Sequence, residues 1–405
     1  MIKKTIFVII KWVKKVLIIK ILIISLVLSI CTCCFVACNK HEHTFSAWKF
    51  SNTHHWKEYL CDCGEVENCG EHILDSSGCC SVCGVPLVET DGVIYDVDTD
   101  LDCARVLGYV GNQDNIKIAE TFENLPVSII AENAFKNSNI KTILLPSSIK
   151  EIHLNAFANC DYLQYNENGG LKYLGNIENP YLAVMGVEDS GKPTYQIDRN
   201  AKVIYQGVFA GQSNLQNIEI PNSVEYIGDS AFQDCLSLES IILSESIKKI
   251  NPYTFSGCGS LNNAKIPYSV VEIAKYAFLG CAFTSLNIGG QVKVIEAHAF
   301  KNCDFLERLI IGDSVEYIGD SAFRGCDKLL SVTLGIGVKK IGNYAFAYAW
   351  LIDEFIFTDN VGWYITDSVL AFNNSSGGIA IDLEKNNQSA TLIKQTYMEY
   401  YWYKR

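Results

Sequence analysis

SVEYIGDSAF stands at residues 223–232 and again, letter for letter, at 314–323. Ten identical residues 91 positions apart signal an internal repeat. Its other copies are found by following the terminal Phe. A Phe, usually preceded by Ala, recurs at Phe135, Phe157, Phe209, Phe232, Phe255, Phe278, Phe300, Phe323 and Phe346, in steps of 22 or 23 with one step of 52. Five residues before each stands Ile: Ile130, Ile152, Ile204, Ile227, Ile250, Ile273, Ile295, Ile318 and Ile341. Eight residues before each is Val or Ile, with Ala201 as the exception. Downstream comes L-x-x-I-x-[IL], as in LQNIEI (215–220), LESIIL (238–243) and LERLII (306–311).

Successive side chains of a strand point to opposite faces. In LESIIL, Ile241 and Leu243 therefore share one face, while Ser240 and Ile242 share the other. A coil of about 23 residues cannot bury its own apolar side, but stacked coils bury each other's. Leu238, Ile241, Leu243, Ile227 and Phe232 then meet the same slots above and below. The expected fold is a mainly β repeat solenoid of the leucine-rich-repeat type, preceded by a small zinc-ribbon-like module. At about 4.8 Å between paired strands, nine coils span on the order of 40 Å.

The unit SVEYIGDSAFQDCLSLESIIL (223–243) resembles the leucine-rich repeats of BspA-like bacterial surface proteins. The resemblance runs from about residue 91 to 346. The stretch YNENGGLKYLGNIENPYLAVMGVED (165–189) is similar to an interruption found in that family, and it accounts for the 52-residue step. GWYITDS (362–368) and YWYKR (401–405) are similar to its C-terminal caps. The resemblance implies a secreted or surface-anchored protein that binds or adheres, without enzymatic activity.

The chain starts differently. Its first 38 residues hold six Lys and no Asp or Glu, so the remainder is more acidic than the net −12 of the whole. An acidic body is repelled by phosphate backbones, which argues against a nucleic-acid partner. ILIISLVLSI (21–30) is an uncharged apolar run, followed by CTCCFVACNK. Ala37 places a small residue before Cys38, as in a lipoprotein signal whose Cys becomes lipidated. The alternative is an uncleaved signal anchor, since residues 21–38 approach spanning length. Both leave the Lys-rich end inside and the rest outside the membrane.

Residues 39–90 read as a Cys/His-rich module and tether. Two turns, Cys61-Asp-Cys63-Gly and Cys80-Ser-Val-Cys83-Gly, lie at zinc-ribbon spacing, each offering two thiolates to a tetrahedral ion. The first is C-x-C rather than C-x-x-C, and His54, His55 or His72 could replace a thiolate. The readings are one structural zinc ion, disulfides formed outside the cell, or thiols with no defined role. So short a segment, poor in Leu, Ile and Val, needs a staple to fold.

Residues 91–126 are expected to cap the first coil, with strands in DGVIYDV (91–97) and ARVLGYV (104–110) and a core thiol at Cys103. The solenoid proper is expected over 127–346 with an insertion near 165–195, and a second cap over 347–405. Trp350, Phe355, Phe357, Trp363 and Tyr364 are expected to pack in that cap, and AFNNSSGGIA (371–380) to form a loop. Cys160, Cys235, Cys258, Cys281, Cys303 and Cys326 follow their Phe by three residues. They read as a column of buried thiols acting as small hydrophobes. His153 and His298 occupy variable slots and read as exposed substitutions.

No G-x-S-x-G, P-loop or H-E-x-x-H occurs. The candidate binding surface is the outward side of the long strands: Asn217, Glu219, Ser240, Ile242, Asn263, Lys265, Ser285, Asn287, Arg308, Ile310, Ser331 and Thr333. This mostly small, polar set suits a broad contact with a protein or glycan on a host or neighbouring cell. A structural envelope scaffold without external ligand is the rival, and a reversible zinc sensor at residues 54–83 a third reading.

Overall fold

A computed structural model describes residues 49–50, 54–58, 66–71, 90–381, 383, 389–396 and 398–405. Three short strands lie at Lys49–Phe50, His54–Glu58 and Val66–Glu71. From residue 90 onward the chain winds as a solenoid of parallel β coils with almost no helix.

Each coil carries a long strand and a two-residue strand. The long strands stack in parallel as Asn217–Glu219, Ser240–Ile242 and Asn263–Ala264, then as Ser285–Ile288, Arg308–Ile311, Ser331–Leu334 and Glu354–Phe357. The short strands Lys249–Ile250, Glu272–Ile273, Val294–Ile295, Tyr317–Ile318 and Lys340–Ile341 form a second parallel sheet. Register is one coil per step, as in Ile241 with Ile218 and Leu309 with Leu286. The hydrophobic alternation sets it, because a one-residue slip would turn every inward side chain outward.

All nine repeat Phe and all nine repeat Ile are buried. The Phe rings make an offset stack, with neighbouring centroids 4.9–5.4 Å apart from Phe209 to Phe346. The stack is interrupted at the 52-residue step. There Tyr205 meets Phe157 edge-on at 6.3 Å, and Tyr195 lies 5.5 Å from Phe209. The inserted segment folds into antiparallel strands, Asn166–Asn168, Leu171–Leu174 and Ala183–Val187. The last of these pairs in parallel with Val203–Ile204 and so re-enters the solenoid.

The cysteine column adds a bond to the expected packing. Each thiol reaches the carbonyl oxygen of the Phe one coil back: Cys160 to Phe135, Cys235 to Phe209, Cys258 to Phe232, Cys281 to Phe255, Cys303 to Phe278 and Cys326 to Phe300, at 3.0–3.4 Å. Cys suits the slot because it is small and apolar yet carries a weak donor. All six thiols are free, and so is the buried Cys103. Burial pushes Cys303 up to about 12 and holds Cys281 and Cys326 well above the ordinary thiol range.

The turns flanking each Phe follow a rule that the hydrophobic pattern did not express. The residues two before and two after every repeat Phe have left-handed backbone conformation, as at Ser230 and Asp234 (φ 57° for both), or at His298 and Asn302 (φ 60° and 59°). Gly and Asn accept this readily and His more easily than most, whereas Tyr does so at a cost. Tyr253, Tyr276 and His298 offset it by stacking on one another, at 4.8 and 4.6 Å. The expectation that His298 is exposed is therefore corrected. It is half-buried, with Nδ1 out of solvent and no hydrogen-bond partner among the described residues. His153 is also half-buried, 2.8 Å from Glu151 Oε2. The His298 ring lies against Tyr276 of the preceding coil, and the His153 ring against Tyr226.

The lead-in opens with a hairpin, Val93–Asp98 with Cys103–Tyr109. Cys103–Tyr109 also pairs in parallel with Leu125–Ile130, and Asn115–Lys117 with Thr142–Leu144. Residues 91–126 thus already supply coil strands. At the other end Tyr401–Lys404 lies antiparallel on Lys340–Ile341 and closes that edge, with Trp363–Thr366 beyond it. An unpaired strand edge would otherwise be open to association. Phe355, Phe357, Trp363 and the partly covered Tyr364 pack as expected, but Trp350 is 49% exposed, against Tyr348. AFNNSSGGIA is not wholly a loop. Val369–Asn373 is a short helix and Ile379–Ile381 a strand, because Phe372 turns inward.

Candidate functional site

The outward side of the long strands holds all twelve residues singled out from the sequence, in two columns. One runs Asn217, Ser240, Asn263, and after a break Ser285, Arg308, Ser331. The other pairs Glu219 with Ile242, then Asn287, Ile310 and Thr333, with Lys265 just past its strand at the break. Ser240, Ser331 and Thr333 are half-exposed and the rest exposed. The columns continue one coil further, to Glu354 and Ile356, which pair with Ser331 and Thr333. The strand alternation of EFIF would have found them, but the repeat Phe was the guide and its last copy lies upstream.

One polar pair in the first column is bonded. The Ser240 hydroxyl donates to Asn217 Oδ1 at 2.5 Å. Ile242, Ile310 and Ile356 stand out at 63%, 48% and 42% exposure. Nothing in the coil's interior constrains them. The surface is a ladder of small polar groups and exposed isoleucines, with scattered charges at Glu219, Lys265, Arg308 and Glu354, of which Lys265 lies 3.9 Å from Glu245. It can offer many weak contacts but assembles no acid–base pair or nucleophile.

The short-strand side carries features that the sequence reading passed over. A cleft of about 620 Å³ is lined by Lys150, Glu151, His153, Tyr226, Asp229, Lys248 and Lys249. A second, of about 480 Å³, is lined by Lys293, Glu316, Tyr317, Lys339, Lys340, Phe372 and Asn373. They are built by the two copies of the quoted decapeptide. Burial raises the Tyr226 phenol strongly and pushes Tyr317 up to about 12. It also raises Asp229, an effect that nearby Lys249 and His153 partly offset, and Asp320, where a hydrogen bond from Asn343 opposes it. Gly228 belongs to this geometry: a Cβ there would stand 2.6 Å from Gln206 N of the preceding coil.

Cys38, Cys61, Cys63, His72, Cys80 and Cys83 lie outside the described residues, and His55 falls on the strand His54–Glu58. Among the described residues no cluster of three or more His, Cys, Asp or Glu is placed to hold a metal ion. Nor is any helix among them long and apolar enough to cross a membrane.

Six copies of the BspA type leucine rich repeat region match residues 111–176, 193–307 and 293–394. No curated protein matches the sequence. Among solved structures, a leucine rich cell surface protein from Faecalibacterium prausnitzii is 24% identical with a TM-score of 0.31, over 67% of this chain and 76% of that one. A leucine-rich repeat protein from Eubacterium ventriosum is 16% identical with a TM-score of 0.31, over 79% of this chain and 97% of that one. The leucine rich repeat protein of T. pallidum is 23% identical with a TM-score of 0.27, over 60% and 91%.

Proposed function

The chain belongs to the BspA-type leucine-rich-repeat family, and from that premise we propose that it is a surface-anchored recognition protein. Its long-strand face engages a protein or glycan on a host or neighbouring cell, without chemistry. One observation carries this reading. Inside the coils the slots are held mainly to Ile, Leu, Val, Phe, Ala and Cys, while the outward slots from Asn217 to Ile356 vary freely between polar, charged and apolar residues. Such variation on a rigid, regular backbone suits a surface shaped by contact rather than by packing. The acidity of the chain outside its first 38 residues fits a non-nucleic-acid partner.

In this reading lipidated Cys38 holds the protein at the outer face of the membrane. One structural zinc ion, bound by Cys61, Cys63, Cys80 and Cys83 with His55 or His72 as substitutes, staples the module between anchor and solenoid. The spacing of the two turns supports the zinc, and Ala37 before Cys38 supports the lipid. Metal analysis of the purified chain should find one zinc per protein, and mass spectrometry a lipidated N-terminal Cys38.

The test of the binding face is capture of partners from host-surface and envelope extracts by the native chain and by a chain with Glu at Ser240, Ser285 and Ser331. A partner held by the first and lost by the second is the expected result. Equal capture by both would reject the strand face and favour the scaffold.

A further inference from the structure

The two decapeptides are identical beyond what packing requires. Val224, Ile227, Ala231 and Phe232 are buried, and the Cβ contact explains Gly228. Burial does not explain Glu225, Tyr226 and Asp229, which recur as Glu316, Tyr317 and Asp320 although other coils hold Lys248, Lys249 and Pro252 there. The coil that follows each copy brings Lys-Lys-Ile, at 248–250 and at 339–341. A surface set of this kind has therefore been placed twice.

At the second copy the set is occupied by the chain's own cap. Phe372, 4% exposed, sits with its ring 6.3 Å from that of Tyr317. The Lys340 ammonium lies 5.3 Å from the same Phe372 ring and donates to the carbonyl oxygen of Asn373 at 2.9 Å. Tyrosine and lysine thus grip an aromatic side chain and the backbone carbonyl just after it, by ring contact, cation–π attraction and a charged hydrogen bond.

The first copy has no cap over Tyr226 and Lys249, the latter half-exposed and paired with Glu272 at 2.7 Å, and its cleft is the larger of the two. One face of the Tyr226 ring is taken by His153, stacked with centroids 6.2 Å apart, yet His153 itself stays half-exposed. Two groups there are unengaged. Asp320 accepts the Asn343 N–H at 3.2 Å, but the matching neighbour of Asp229 is Pro252, which has no N–H. Lys339 pairs with Glu316 at 2.8 Å, whereas the matching Lys248 makes no ion pair among the described residues. A half-buried carboxylate and the unpaired Lys248 ammonium beside a tyrosine covered on one side only form an incomplete constellation.

We propose that the cleft at Tyr226, Asp229 and Lys249 is a docking site for a peptide segment of a partner protein that presents an aromatic side chain, held as the cap holds Phe372. Tyr226 takes the aromatic ring. Lys249 takes the carbonyl that follows it, and Asp229 accepts a peptide N–H. This site lies on the short-strand side and does not depend on the long-strand reading.

The chain itself supplies the probe. A fluorescein-labelled peptide DSVLAFNNSS, the sequence of residues 367–376, is titrated with the full-length chain in detergent and followed by anisotropy. Saturable binding is expected, weakened about tenfold or more by Tyr226→Ala, by Lys249→Gln, and by Ala in place of the peptide's Phe, as for a central aromatic anchor. Lys249→Gln serves where Tyr226→Ala shifts the melting temperature. Absence of saturable binding overturns the proposal. So does binding indifferent to these changes, or binding lost only with Tyr317→Ala, which would mean the peptide merely displaces the cap. Capture with the strand-face variants reads the other surface, so the two readings can fail separately.

Discussion

The Phe–Cys column and the outward Ser–Asn column share the same coils and the same 23-residue period, yet they answer to different constraints. Inside, Phe278 touches Phe255 and Phe300 at 5.1 Å each, and Cys281 reaches back to the Phe255 carbonyl. Any change there is felt by two neighbouring coils. Outside, Ser331 lies between Arg308 and Glu354 and carries no load from the interior. A repeat thus makes half of each coil nearly invariant and leaves the other half open, which is why an array of identical coils can present a surface that is not identical.

The largest effect that could break this contrast is Phe278→Ala. It should cost about 3–5 kcal/mol, as truncation of a buried aromatic does, read from the denaturant midpoint at unchanged slope. A cost near zero would mean that the ring stack does not hold the coils. Next comes Cys281→Ala, which removes the thiol from a Phe255 carbonyl that keeps the Cys258 N–H at 3.2 Å, and should cost about 1 kcal/mol. Cys281→Ser retains a donor and should recover part of that loss. If Ala is the better tolerated of the two, the thiol is filler only. A smaller effect separates the turns from the strands. Burial, assisted by Lys301, lowers the His298 pKa below its ordinary 6.5. The unfolded chain then binds the proton more readily than the folded one, so this contribution to stability is full above about pH 6.5 and fades as pH falls through the folded value. The thermal midpoint should drop on acidification across that window, less steeply in His298→Gln. Asp229 and Asp320, raised by burial, act in the opposite sense, and only nearer the carboxylate range. The smallest effect is Ser331→Ala, expected within about 0.5 kcal/mol. A cost comparable to that of Cys281→Ala would erase the distinction between the two columns.

Most of the solenoid was legible because it rests on one-dimensional information. A side chain that faces its own copy one coil away must be compatible with that copy, and the compatibility repeats in the sequence as Phe, Ile and Cys at fixed offsets. The strand face was legible for the same reason: alternation alone puts Ser240 and Ile242 opposite Ile241. The left-handed turns were half-visible. Asn137, Asn159, Gly211, Asp234, Gly257, Gly280, Asn302 and Gly325 spell out one of the two positions. Tyr253, Tyr276 and His298 concealed the other, since ring stacking offsets a backbone preference that each residue alone would resist. The inward turn of Phe372 had no local signal at all, since its run of Asn, Ser and Gly reads as a loop.

The sequence by itself determined the period, the inward set and the strand register, because parallel stacking makes each of them a property of the coil and its nearest copy. Only the tertiary structure decided what gathers on the short-strand side. Glu151 and His153 come to Tyr226 across the inserted hairpins, and Phe372 comes to Tyr317 from a cap more than fifty residues later. Those meetings depend on how irregular segments fold back onto the regular ones. A repeating hydrophobic pattern holds no information about that, because the period does not bring these residues next to one another.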